Sequence, residues 1–398
     1  MENVKNKLAP IGICTYTRLE HLKKSVKSLQ ENRLARNSDL FIFSDGPKPG
    51  DESKVCDLRA YLKTITGFKS VTIVERDEND RLKNCRGGLK FLLEKYGKTI
   101  WLADDVIAAP GFLEYLNDGL DKYKTNPLVL SICSYSPPIE INLGRKDAFF
   151  MKRLNAWGFA IWKDKFDLID EISEKSYAEF IRNEELVKRV KLLSGEDLLQ
   201  WFKNEVLGRL DGLDSKGSFL SVTKGLYSLY PKKSLSKNVG HDGSGVHSGV
   251  TNKFDVDLWS KAEDFLFPSK VIENKLLTGA VSSFYSETNN NISNIVVENI
   301  VKQVLCSGLS RVSLWGTNQL SEMVYTELYG KVSIDYFIDS WPETKSKFGV
   351  EVISGDEVEA LDIENIVVCS IANRFSIIQK IESYKKRHFF LYFEELRR

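Results

Sequence analysis

Histidine and cysteine are scarce: four and six, respectively, in 398 residues. The cysteines (Cys14, Cys56, Cys85, Cys133, Cys306 and Cys369) are scattered, and no two form a Cys-x-x-Cys pair. That spacing excludes a zinc ribbon and, in so long a chain, a disulfide framework; it implies reduced thiols and a cytoplasmic protein. His241 and His247 are six apart with no cysteine nearby, which matches none of the usual zinc spacings. No stretch approaches the ~18 uninterrupted apolar residues of a membrane span. The first ten residues, MENVKNKLAP, lack the apolar core of a signal peptide. Neither charge is in excess: 56 Lys and Arg against 55 Asp and Glu leave +1, so no global field selects nucleic acid.

What remains is ordinary globular composition, 42% hydrophobic and 28% charged, which excludes disorder and coiled coil as the main theme. At roughly 100–200 residues per domain the length allows two or three domains. The first ~110 residues alternate short apolar runs (Ile11–Tyr16, Leu40–Phe43, Ser70–Val74, Thr99–Leu102) with helical spacing (Leu19–Leu29, Val55–Ile65, Cys85–Tyr96). This alternation predicts a mostly parallel sheet covered on both faces, with ligands at the carboxyl ends of its strands. Thr15, Asp45, Arg76, Asp104 and Asp105 all fall at such ends. The middle is less regular and rich in aromatics and glycine, with a helical stretch over 177–206. Residues 286–293, SETNNNIS, read as a linker: polar, with one charge and no apolar periodicity. A second α/β pattern then follows to the end of the chain.

Asp104-Asp105 at the end of an apolar strand is the sharpest chemical feature. Paired carboxylates repel unless a cation sits between them, and hard oxygen ligands suit Mg²⁺ or Mn²⁺ on a diphosphate. The plainer alternative is one helix cap beside one solvated acid. The Gly- and His-containing segment 238–249 suits a loop closing over a diphosphate, or an ordinary turn. In the C-terminal pattern Gly316 follows a strand and Asp339 lies 23 residues on, near the place of a ribose-binding acid. Asn318 and Ser321 break the dinucleotide fingerprint, so this segment reads mainly as structural or partner-docking. The basic residues Lys385, Lys386, Arg387, Arg397 and Arg398 beside aromatics suit contact with an anionic membrane surface, or a solvated strand end.

Over residues ~9–135 the chain resembles the GT-A nucleotide-sugar glycosyltransferases, most closely bacterial relatives of N-acetylglucosaminyltransferase I. The matching segments are PIGICTYTR, FIFSDGPK, VTIVERDEN and WLADDVIAAPGFLEYLNDGLDKY; looser matches, NAWGFAIWKD and LYPKKSLSKNVGHDGSGVHSG, extend to about residue 249. Ala103 stands where the family's acidic triplet has its first acid, and Asn79-Asp80-Arg81-Leu82 replaces Asn-x-Gly-Leu. The resemblance implies Asp105 as metal ligand and Asp104 on ribose or metal-bound water. It also implies Thr15, Tyr16, Arg18, Asp45 and Arg76 about the nucleotide, Trp157 as a wall, and His241 and His247 in the closing loop. Asp45 is also a good turn residue before Gly46-Pro47, and Arg76 is also a partner for Glu75 or Asp77. An inverting transferase needs a carboxylate base. Asp211 lies nearest the family position, Asp214 competes with it, and Asp197 resembles a Gly-Glu-Asp helix start that also suits a helix dipole. Asp197 is preferred to Asp211.

The expectation is therefore an α/β chain: a GT-A domain with a Rossmann-like mixed sheet over 1–285 (nucleotide-sugar half about 1–135, acceptor and closing-loop half about 136–285), a linker over 286–293 and a small Rossmann-like α/β domain over 294–398. The resemblance implies a metal-dependent, inverting transfer from a UDP-sugar to a saccharide or lipid-linked acceptor in surface-polysaccharide assembly. The alternatives are a catalytically silent nucleotide-sugar-binding module and a sugar-nucleotide nucleotidyltransferase. The latter would want glycine after the first strand, which CTYTRLEH lacks.

Overall fold

The computed structural model describes all residues except 1–6, 140, 142, 196, 207–212, 244–250, 341, 343, 370–373, 385–388 and 393–398. The chain forms two compact units, the first ending at Ser286 and the second beginning at Glu287. Asp211, His247 and the basic residues 385–387 and 397–398 lie outside the described residues.

The first unit opens with β1 (Ile11–Thr15), α1 (Leu19–Gln30), β2 (Asp39–Ser44), α2 (Glu52–Leu62), β3 (Ser70–Glu75), α3 (Arg81–Tyr96) and β4 (Lys98–Ala103). There follow β5 (Val106–Ala108), α4 (Phe112–Tyr123), β6 (Val129–Cys133), β7 (Ala148–Met151), β8 (Phe159–Trp162) and the helices α5 (Lys163–Asp170), α6 (Glu174–Ile181), α7 (Glu184–Ser194), α8 (Leu198–Val206) and α9 (Asp214–Lys224). β9 (Tyr227–Pro231) and β10 (Ser236–Asn238) complete the strands of this unit. Eight strands form one sheet in the order β3-β2-β1-β4-β8-β6-β9-β7, the first four parallel and β8 antiparallel to both its neighbours. β5 and β10 pair separately as an antiparallel ribbon.

The period-two rule of strands explains the two cores. In β2, Leu40 and Ile42 join α1 and α4 on one face, while Phe41 and Phe43 join α3 and the later helices on the other. Gly12 has no alternative in β1: a Cβ there would stand 2.4 Å from the Trp101 ring, which lies across it. The single helix expected over 177–206 is three. Asn183 caps α7 by accepting from Leu186 N, and Gly195 ends it with φ at 108°, a conformation disfavoured with a side chain.

α10 (Lys275–Cys306) includes residues 286–293, so the segment whose composition reads as a linker is helical. Intrinsic propensity is a weak prior, and Asn and Ser are disfavoured in helices by well under 1 kcal/mol each. The second unit then has β11 (Arg311–Trp315), α11 (Gln319–Leu328), β12 (Ser333–Asp339), β13 (Ser346–Lys347), β14 (Val350–Ser354), β15 (Asn365–Val368), α12 (Arg374–Ser383) and β16 (Phe389–Tyr392). Its sheet order is β13-β14-β12-β11-β15-β16, parallel except for β13. That is a doubly wound arrangement whose direction reverses between β11 and β15. Both units are thus α/β. Among the described residues no helix is long and apolar enough to cross a membrane.

Candidate active site

The carboxyl ends of β1 and β4 lie side by side, Cys14 opposite Ala103, and this brings Thr15 to the Asp104-Asp105 turn. Thr15 Oγ1 donates to Asp104 Oδ2 at 2.8 Å. Arg18, at the entrance to α1, donates to Asp104 Oδ1 and reaches Asp105 Oδ2 at 2.9 Å. Both aspartates are buried. Burial pushes the Asp104 carboxyl above its ordinary value against the pull of Arg18, and the Asp105 charge pushes the same way. The Arg18 guanidinium loses hydration too, but the two carboxylates outweigh that loss and raise its pKa.

β10 brings a second strip of chain to the same place. Asn238 pairs with Val106, and Val239 N donates to Asp105 O at 2.9 Å. Gly240 then lies on the carboxylate: a Cβ there would stand 2.2 Å from Asp105 Oδ2 and 3.1 Å from Arg18 Nη1. His241 follows, its ring edge-on to Trp157 at 5.1 Å and to Phe254 at 5.0 Å. Burial lowers the His241 pKa, outweighing Asp105, Asp255 and Asp242, so the imidazole is neutral near pH 7. Asp242 Oδ2 lies 3.0 Å from His21 Nε2, which ties this strip to α1. Trp157 itself packs against Tyr135 at 4.7 Å, and its carbonyl accepts from Ser236 Oγ of β10 at 2.6 Å.

Three of the expected residues have other employment. Asp197 is gripped by Arg153 through both oxygens, Nη1 to Oδ1 at 2.9 Å and Nη2 to Oδ2 at 2.8 Å. Arg153 is itself buried, with its guanidinium 3.4 Å from the centre of the Tyr285 ring. Asp197 is therefore the counter-ion of a buried arginine, and both its oxygens are engaged. Asp45 accepts from Gly46 N and Asp80 N at 3.0 Å and from Asn79 Nδ2 at 3.1 Å, which staples the β2 turn to the start of α3. Its carboxylate is filled by its own chain, and Arg76 stays 3.8 Å away. Tyr16 OH donates to Asp51 Oδ2 at 2.8 Å and accepts from Lys48 N at 2.9 Å.

Asp214 takes a different position. Its Oδ2 accepts from Ala156 N at 3.2 Å, directly beside Trp157, and burial raises its carboxyl pKa. Gly240 and Arg59 went unnoticed in the sequence. Arg59 holds the strand ends by donating to Ser44 Oγ and to the carbonyl of Asp45, both at 3.2 Å, and to that of Arg76 at 2.5 Å. Neither residue carries a motif: a lone glycine in a Gly-rich loop and a helical arginine have no local signature.

Two atoms decide whether the donor set fits a metal ion. Asp105 Oδ1 and His241 Nδ1 are both buried and have no hydrogen-bond partner among the described residues. A carboxylate oxygen and a neutral imidazole nitrogen left in this way are costly to bury, and each is a donor type that Mn²⁺ or another divalent ion accepts. No group of three His, Cys, Asp or Glu side chains able to share an ion occurs among the described residues. Further ligands would come from substrate or water.

No protein-family model and no curated protein matches the chain. Among solved structures, it is similar to a mannosyltransferase from Pyrobaculum calidifontis in complex with GDP-Man and Mn²⁺, with 13% identity over 41% of this chain and 45% of that one (TM-score 0.29). It is similar to GalNAc-T7 with UDP, GalNAc and Mn²⁺, with 13% identity over 57% and 43% (TM-score 0.35). A third is the apo form of the glycosyltransferase GlyE of Streptococcus pneumoniae TIGR4, with 11% identity over 94% and 90% (TM-score 0.27). The chain thus covers less than half the length of the first two.

Proposed function

We propose that the chain is a GT-A-type glycosyltransferase, dependent on Mn²⁺ or Mg²⁺, that moves a sugar from a UDP-sugar to a saccharide or lipid-linked acceptor with inversion. The observation that carries this reading is the pair of buried lone-pair donors, Asp105 Oδ1 and His241 Nδ1, beside a turn whose remaining carboxylate oxygens are held by Thr15 and Arg18. Asp105 and His241 would hold the ion, which when bound offsets negative charge on the leaving diphosphate. Arg18 lies against both carboxylates, offsets part of their negative charge and adds its own positive charge to the anion site. Trp157, Tyr135 and Phe254 supply an apolar wall that excludes water from the donor sugar.

The acceptor hydroxyl attacks the anomeric carbon as the bond to the diphosphate oxygen breaks, and a carboxylate takes the hydroxyl proton. Asp214 suits this role better than Asp197: it borders the Trp157 wall, and burial raises its affinity for a proton. Calorimetry of UDP binding with and without Mn²⁺ tests the reading. Mn²⁺-dependent binding to the wild type that vanishes in Asp105→Ala is expected; a wild type that binds no UDP under either condition overturns the UDP-sugar assignment. A second reading, a catalytically silent nucleotide-sugar-binding module, is favoured by Arg18 already bridging the two aspartates. Metal-dependent binding without hydrolysis or transfer of any UDP-sugar would select it.

A further inference from the structure

The second unit has a cavity of about 440 Å³, lined by Tyr325, Tyr329, Lys331, Ser333, Ile334 and Val350 among others. It is remote in sequence from every residue of the candidate active site. Tyr325 stacks on Phe348 with ring centres 4.8 Å apart and 11° between the planes, and Tyr329 lies 5.9 Å from Tyr325. Tyr329 is 73% exposed and Phe348 55% exposed, both large rings for open surface.

Phe348 occupies a position that its backbone disfavours. Lys347 pairs with Val350 across β13 and β14, so Phe348 and Gly349 form a two-residue hairpin loop, with φ at 52° and 79°. Loops with two positive φ angles favour Asn, Asp or Gly at the first place, because a Cβ is strained there. A phenylalanine here accepts this strain with one ring face stacked on Tyr325 and about half of its surface still in solvent. Such a break of a local rule points to use of the ring.

We propose that this cavity binds a saccharide, with a pyranose ring against Tyr325 and Tyr329, which line it, and Phe348 beside them, stacked on Tyr325. Ring faces match the C–H face of a pyranose, and the hydroxyls of Tyr325, Tyr329 and Ser333 with the Lys331 ammonium offer hydrogen bonds to sugar oxygens. A purely apolar partner would leave these polar groups unmatched. Among the described residues, Lys331 is the charged residue of the lining and no carboxylate joins it there, so charge favours a neutral or acidic sugar over a cationic ligand. The volume sits at the small end of ligand pockets, about 300–1,000 Å³, and suits one or two sugar rings. That the sugar belongs to the acceptor glycan rests on the transferase reading; saccharide binding itself does not.

Saturation-transfer-difference NMR of the full chain tests this, with the methyl glycosides of β-glucose, β-galactose and β-N-acetylglucosamine as probes at millimolar concentration and UDP present or absent. Transfer to ring C–H protons is expected for at least one probe, unaffected by UDP and by Asp105→Ala, and reduced about fivefold or more by Tyr329→Ala and Phe348→Asn. Asn suits the strained turn, so Phe348→Asn should melt no lower than the wild type, and its loss of signal cannot be put down to misfolding. No transfer to any probe, or equal transfer in both variants, overturns the proposal. A signal lost in Asp105→Ala but kept in Tyr329→Ala would place sugar binding in the first unit instead, which also overturns it. Failure of UDP binding, by contrast, would sink the transferase reading and leave this result standing.

Discussion

Asp197 and Asp214 show how the same side chain takes opposite roles from its neighbours. Asp197 meets a buried guanidinium with both oxygens, and breaking a buried ion pair of this kind costs about 3–5 kcal/mol because the partner charge is left unpaired. Asp214 accepts from the backbone N–H of Ala156 and is held closer to neutrality by burial. Asp197→Asn should therefore lower stability strongly in chemical denaturation. Asp214→Asn should leave the fold near wild type while reducing kcat by about 10²–10⁴-fold, the range of general-base catalysis. Equal kcat in Asp214→Asn and wild type would remove Asp214 from the mechanism. At this scale the sequence was partly legible. The Asp104-Asp105 turn, Thr15 and Arg18 do converge, because residues ending adjacent parallel strands must. The pairing of Asp197 with Arg153, 44 residues away, and the Asp45 staple depend on tertiary contacts that no local pattern encodes.

Among the elements, α8 and α9 are joined through a buried carboxylate. Glu205 of α8 accepts from Ser215 Oγ and from Lys216 N in the first turn of α9, and Arg86 of α3 lies 3.4 Å from its other oxygen. Burial raises the Glu205 pKa to about 7, with Ser215, Arg86 and Lys216 opposing and Asp214 adding to the rise. The unfolded chain releases this proton near the ordinary glutamate value, so between the two values the folded state holds more protons than the unfolded one. Glu205 thus adds stability that is full below about pH 4 and fades as pH rises toward 7, by up to about 3 kcal/mol. Melting temperatures from pH 5 to 8 check this: the wild type should lose ground to Glu205→Gln as pH rises, and parallel profiles would contradict it. The early β–α elements were readable because both periods, 2 and 3.6, run for long enough to register. The strands β7 to β10 have three to five residues each among aromatic loops, too short for a period, so the mixed sheet was implied by the family resemblance and not by periodicity.

For the whole molecule, what matters is that each unit has its own buried core. Ile11, Leu22, Phe112 and Phe41, Trp101, Phe159 belong to the two faces of the first sheet, and Val312, Leu314, Phe337 and Trp315, Ile338, Ile353 to those of the second. Each is large enough to fold cooperatively, which is the condition for two-state behaviour unit by unit rather than over the whole chain. Calorimetry should then resolve two transitions, and two substitutions should assign them. Asp197→Asn strikes the Arg153 pair in the first unit and should lower one transition only. Phe348→Asn relieves a left-handed phenylalanine in the second unit, where the conformation costs roughly 1–2 kcal/mol, and should raise the other. A 100-residue domain gains about 4–8 °C per kcal/mol, so the second shift is measurable even if part of the strain persists. A single transition moved by both substitutions would mean that the cores melt as one. Phe348→Asn shifting neither transition would mean that the turn is relaxed in this chain, and the argument from its strain to saccharide binding would lose its premise.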